Sequence, residues 1–180
     1  MKVVYAGPLD QNGTCISRLR ALQSFPGVQI FPFDTALCFD GRNKWLRRME
    51  LAVSLGPAYW KLNMDFRALC LRTEPQVIWV DKGFWLWPST LRLLKRNGAR
   101  LVQHNTDSLK PGKWNLKLAY RLMNQALPLY DLYFTTNTHD FDRLSGEDRP
   151  PKTELTFLGY DHEYCDDSPI SSSLREIWQS

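Results

Sequence analysis

Six short apolar runs, separated by stretches with helical spacing, limit this chain to very few architectures. The runs are "KVVYAG" (Lys2–Gly7), "VQIFPF" (Val28–Phe33), "QVIWVD" (Gln76–Asp81), "RLVQHN" (Arg100–Asn105), "LYFTTN" (Leu132–Asn137) and "ELTFLG" (Glu154–Gly159). Continuous apolar runs of this length read as strands buried on both faces. Pro32 marks the end of the second run or an edge position. Between the runs lie helical patterns. Thr14 is placed to cap a helix carrying Ile16, Leu19 and Leu22 on one face. Two helices fit between Trp45 and Leu71, divided at Gly56-Pro57. Further helices fit Pro88–Asn97, Trp114–Leu127 and His139–Leu144. Strict alternation of strand and helix implies right-handed crossovers. The fold expected is a Rossmann-like, three-layer α/β/α domain with a mainly parallel sheet. It should occupy residues 1–164, and the "CDDSPISSS" composition suggests a linker or tail over 165–180.

Composition narrows the class. With 180 residues, 43% hydrophobic and 23% charged, the chain suits one ordinary globular domain. A net charge of +4 spread along the chain does not point to nucleic acid. The four cysteines (15, 38, 70 and 165) lie far apart with no CxxC pair, so no metal site or disulfide framework is implied and a reducing cytoplasm is expected. The N-terminal apolar run is too short for a signal peptide, and no stretch reaches the length of a membrane span.

In open α/β sheets ligands bind beyond the carboxyl ends of the strands. That rule selects the loops "GPLDQNGT", "DKGFWLWP", "HNTDSLKPGK", "TNTHD" and "GYDHEY". Gly7 and Gly13 precede a helix start, where free N–H groups suit an anion, with Gly13 alternatively a plain turn residue. The spacing matches neither GxGxxG nor a Walker A loop. Lys82 either meets a phosphate or makes a surface ion pair with Asp81. Trp85 and Trp87 either stack on a ligand or cover the core edge. In "HNTDS" a histidine, His104, and a carboxylate, Asp107, have the chemistry of proton transfer, and Asn105 and Thr106 can hydrogen-bond polyols. The plainer reading has Asp107 or Ser108 make an Asx-type turn, with His104 a satisfied buried histidine. Asp140 suits the helix dipole and is read as structural. Tyr160 and Asp161 are placed to meet a second domain.

Taken together, "VIWVDKGFWLWPSTLRLLKRNGARLVQHNTDS", "ALPLYDLYFTTNTHDFDRL" and "LTFLGYDHEY" resemble the N-terminal half of GT-B glycosyltransferases, in particular the spore-maturation CgeB-like group. The resemblance covers Val77 to Asp166 well and the region before it weakly. It implies a two-domain enzyme whose N-terminal half holds a sugar or glycan acceptor and whose C-terminal half holds a nucleotide-sugar donor. On that view Asp107 orients or deprotonates the acceptor hydroxyl, His104 lies beside the transferring sugar, and Gly13 leaves room for the donor phosphates. Thr14, Lys82, Asn105, Thr106, Tyr160 and Asp161 are the expected substrate contacts. No cofactor or metal is implied beyond the nucleotide-sugar as donor substrate. The chain ends about where that family's donor domain would begin, so the isolated chain is expected to be inactive without a donor-binding domain or partner chain. A reading from another class is a non-catalytic Rossmann-like module that binds a small ligand or a protein. Separately, Trp45, Leu46 and Met49 beside Arg42, Lys44, Arg47 and Arg48 raise peripheral membrane contact, against the commoner solvated helix face.

Overall fold

The structure, a computed structural model, describes residues 1–11, 13–41, 43–109, 117–145 and 152–156. Six strands form one sheet: β1 (Lys2–Gly7), β2 (Gln29–Asp34), β3 (Val77–Asp81), β4 (Arg100–Asn105), β5 (Leu132–Thr135) and β6 (Lys152–Leu155). Their order is β2-β1-β3-β4-β5-β6 and every pairing is parallel. The helices are α1 (Thr14–Gln23), α2 (Lys44–Val53), α3 (Pro57–Thr73), α4 (Pro88–Arg96), α5 (Lys117–Ala126) and α6 (Thr138–Ser145). This is the expected Rossmann-like α/β architecture.

The register explains why the apolar runs are almost unbroken. Val4, Ala6, Ile78, Val80 and Leu101 line one face and pack with Leu62, Phe66, Leu91 and Leu94 of α3 and α4. A satellite cluster of Leu109, Met123, Leu127, Tyr133 and Leu144 extends this core toward α5 and α6. On the opposite face, Tyr5 lies against α1, with its hydroxyl 2.7 Å from the Cys15 carbonyl oxygen. Trp79 and Phe134 stack on that face, ring centroids 5.6 Å apart. Pro32 sits on the edge strand β2, where the lost N–H breaks no central ladder.

Several boundaries differ from expectation by a residue or two. Gly13, not Thr14, is the N-cap of α1, because Gly13 keeps an extended backbone (φ −89°, ψ 148°) and Thr14 is already helical. The last strand begins at Lys152, ahead of Glu154, since pairing with Leu132–Thr135 sets its register. At the other edge, β2 begins one residue later than its apolar run. The division between α2 and α3 falls where Gly56 and Pro57 place it. Ser54 takes a left-handed φ of 48°, Gly56 takes 127°, and Pro57 opens α3.

Candidate functional site

Chain progression reverses between β1 and β3, with β2 on one side of β1 and β3 to β6 on the other. Such a switch point opens a crevice at the carboxyl ends of the strands. Gly7 and Asp81 are the last residues of the two strands that flank it. A Cβ on Gly7 would lie 2.9 Å from the Asp81 Cβ, so only glycine lets the strand ends approach this closely.

Asp81 is the centre of the site. Its carboxylate is fully buried and gathers three groups from three elements. The Tyr5 hydroxyl of β1 donates to Oδ2. The Arg18 Nε of α1 donates to Oδ2 at 3.0 Å and to Oδ1 at 3.2 Å. The His104 Nδ1 of β4 lies 3.1 Å from Oδ1. The His104 approach has the distance of a hydrogen bond but a bent angle. Nδ1 is sealed from solvent and makes no hydrogen bond of normal geometry, so its tie to Asp81 is one of proximity and charge. Burial alone would raise the Asp81 pKa. The His104 contact, the Arg18 charge and the Tyr5 hydroxyl outweigh burial and keep the carboxyl below its ordinary range. The same cluster pushes its neighbours up. Burial and then the Asp81 charge raise the Tyr5 phenol well above its usual value and the Cys15 thiol to about 11. Arg18 rises as well: burial alone would lower it, but the Asp81 charge and hydrogen bond, with Tyr5 and Cys15, together outweigh that.

The rim is built by two loops. After β3, Lys82 (φ 68°) and Gly83 (φ 70°) are both left-handed. The Lys82 N–H donates to the His104 carbonyl and the Gly83 N–H to the Asp81 carbonyl, both at 2.9 Å. A non-glycine residue held left-handed costs about 1–2 kcal/mol, so these contacts fix a strained backbone beside the buried carboxylate. Lys82 Nζ reaches 4.0 Å from the half-exposed Asp107 carboxylate, not toward Asp81. After β4, the Asp107 N–H donates to Asn105 Oδ1 at 3.2 Å and Asn105 Nδ2 donates to the Asp107 carbonyl at 2.8 Å. The loop is therefore an Asx turn led by Asn105, and its buried amide is engaged inside the loop. Thr106 accepts at its carbonyl from Thr136 Oγ1. Fully buried Asp140 ties the loop to α6 by accepting from the Leu109 N–H at 2.7 Å.

Of the residues singled out from sequence, His104, Lys82, Asn105, Thr106 and Asp107 share this edge. Gly13 and Thr14 start the helix that supplies Arg18, and Thr14 Oγ1 accepts from Arg18 Nη2 at 3.4 Å. Tyr160 and Asp161 lie outside the described residues. The tryptophans cover the core edge. Trp85 packs against Phe39 and Tyr59, and Trp87 Nε1 donates to the Ser54 carbonyl. Sequence reasoning misses Tyr5 and Arg18. An available signal is Arg18 one turn beyond Thr14, facing a strand that ends in aspartate. Among the described residues, no group of three or more His, Cys, Asp or Glu is arranged to hold a metal ion. No family model matches the chain, and no curated protein matches it either.

Chemically, the arrangement is a carboxylate–imidazole pair. With Asp81 on Nδ1, the proton of a neutral ring belongs there, and the Nε2 lone pair is the one that can accept a proton.

Proposed function

We propose that this chain is the acceptor-binding half of a nucleotide-sugar-dependent GT-B glycosyltransferase, of the CgeB-like kind, working in a reducing cytoplasm. The observation that carries the reading is the Asp81–His104 pair at the sheet's switch point, 3.1 Å apart and backed by Arg18 and Tyr5. His104 Nε2 takes the proton of an acceptor hydroxyl as that oxygen bonds to the sugar carbon. The bond from that carbon to the diphosphate breaks, and its electron pair leaves with the diphosphate. Asp81 orients the ring and balances the imidazolium charge. Lys82 and Asp107 hold the acceptor at the rim, so Asp107 orients the hydroxyl and His104 receives its proton. Stabilising the departing diphosphate requires donors that a companion donor domain would provide.

Two measurements test this. Incubation of the chain with a panel of nucleotide-sugars and acceptors should give no turnover; robust turnover by the chain alone refutes the half-enzyme reading. Titration with candidate acceptor sugars, followed by the imidazole NMR signals of His104, should shift that ring in the wild type and not in Asp107→Asn/Lys82→Met. If no sugar perturbs His104, the second reading holds: a non-catalytic binding module in which the Asp81 cluster is a strut. That reading draws on the low exposure of the His104 side chain, 6%.

A further inference from the structure

We infer that α2 is a docking helix for an anionic membrane surface. Its amphipathicity is inverted. At 3.6 residues per turn, Trp45, Leu46, Met49, Ala52 and Val53 fall within about a third of the helix circumference. All five are exposed, Trp45 to 66%. The residue of α2 turned most deeply inward is an acid, Glu50, only 7% exposed, with Leu51 half-buried beside it against the core. A surface helix normally buries the opposite set.

The reason lies at the start of α3. Glu50 Oε1 accepts from the Ala58 N–H at 3.1 Å, which puts a carboxylate at the positive end of that helix. Gly56, at φ 127°, admits it; a Cβ there would meet Glu50 Cγ at 2.7 Å. This internal contact fixes the rotation of α2 with its apolar stripe outward. Leu55 in the connection, and Trp60 (60%) and Met64 on α3, are exposed as well.

Charge selects the occupant. Lys44, Arg47 and Arg48 are exposed on the same short helix, with Arg48 flanking the apolar stripe and Arg47 on the far side from it, and the helix's one acid is the buried Glu50. A protein interface core is depleted in charge. Tryptophan, long aliphatic side chains and flanking Lys/Arg are what a helix lying in an anionic lipid headgroup layer presents. At ten residues α2 is far too short to cross a bilayer, and no described helix is long and apolar enough to do so. The Ser54 carbonyl accepts from Trp87, in the loop after β3, so α2 ends near the carboxyl edge of the sheet. Docking would therefore bring that edge toward the lipid.

The test is co-flotation of the 180-residue chain with phosphatidylcholine vesicles, with and without phosphatidylglycerol. Binding is expected to the anionic vesicles and to weaken as salt rises. Arg48→Gln, beside the stripe, should lower the partition coefficient about fivefold, and Arg47→Gln, on the far side of the helix, should lower it less. Leu46→Ser/Met49→Ser should abolish binding while lowering the thermal midpoint by only a few degrees, because about half of each residue is already in water. Three results overturn the inference: no co-flotation with anionic vesicles, equal binding to neutral ones, or a dimer in sedimentation that Leu46→Ser/Met49→Ser dissolves in a chain that never floats.

Discussion

Replacing Asp81 by asparagine probes the site most directly, because the side chain keeps its shape and loses its charge. In the wild type the carboxylate receives the Tyr5 hydroxyl, the Arg18 guanidinium and the His104 ring, and none of its surface is exposed. The amide that replaces it would offer one oxygen to these three donors and turn an N–H₂ group toward one of them. Arg18, itself only 19% exposed, would lose its counter-charge. Removing one member of a buried pair costs about 3–5 kcal/mol. For a chain of this length that corresponds to a fall in Tm of roughly 6–20 °C. Urea unfolding at neutral pH measures the free energy, with an unchanged slope showing that the compactness of the two states is preserved. Arg18→Met should relieve the unpaired charge, so the double variant should recover on the order of 1–3 kcal/mol relative to the sum of the singles. A loss below about 1 kcal/mol for Asp81→Asn, or strict additivity with Arg18→Met, would refute the reasoning that this cluster is one interdependent unit.

Acid should act through the same carboxylate. Asp81 and Asp131 both have folded pKa values depressed below the unfolded value of about 3.9, so below that pH the unfolded chain binds more protons. The stability they contribute is complete above about pH 4 and is lost as pH falls through their folded values; Asp81→Asn should flatten that part of a stability–pH curve. Gly83→Ala should destabilise by about 2–4 kcal/mol, from the left-handed backbone and from a Cβ placed 2.6 Å from Gln103 Nε2. Lys82→Gly, by contrast, should stabilise by about 0.5–1 kcal/mol in urea melts while removing the rim charge. Cys15 and Cys70 are buried, and burial pushes their thiols to about 11 and about 12, so a thiol reagent at neutral pH should label partly exposed Cys38 before either.

Much of the fold is legible because the strands are nearly continuous apolar runs. β1 matches its run residue for residue, since a buried parallel strand leaves little room for polar interruption, and β4 matches as well although Gln103, His104 and Asn105 make its second half polar. Strand order is not legible, because it depends on which crossovers lie on which side of β1. The β4 loop stands out by its polar composition, but its internal division is hidden. Asn105, Asp107 and His104 look alike as polar residues, yet one is engaged in the turn, one faces Lys82, and one meets Asp81 through the pairing of β3 with β4. Arg18 and Tyr5 belong to the site only because β1 and β3 are neighbours, which nothing local in either segment specifies. Likewise, the apolar residues of α2 can be read from sequence, but not that Glu50 turns them outward.

The Asp81 junction also bears on how the chain acquires its structure. Its contacts to Tyr5 and Arg18 span 76 and 63 residues, and His104 follows only with the fourth strand. Closing such long segments delays assembly, so these bonds form late in folding. A nascent chain that has made only its first three strands lacks the imidazole altogether, and a collapsed but misregistered sheet lacks the alignment. The carboxylate–imidazole couple needs only β3 and β4 in register, whereas its Tyr5 and Arg18 supports wait until β1 has paired with β3.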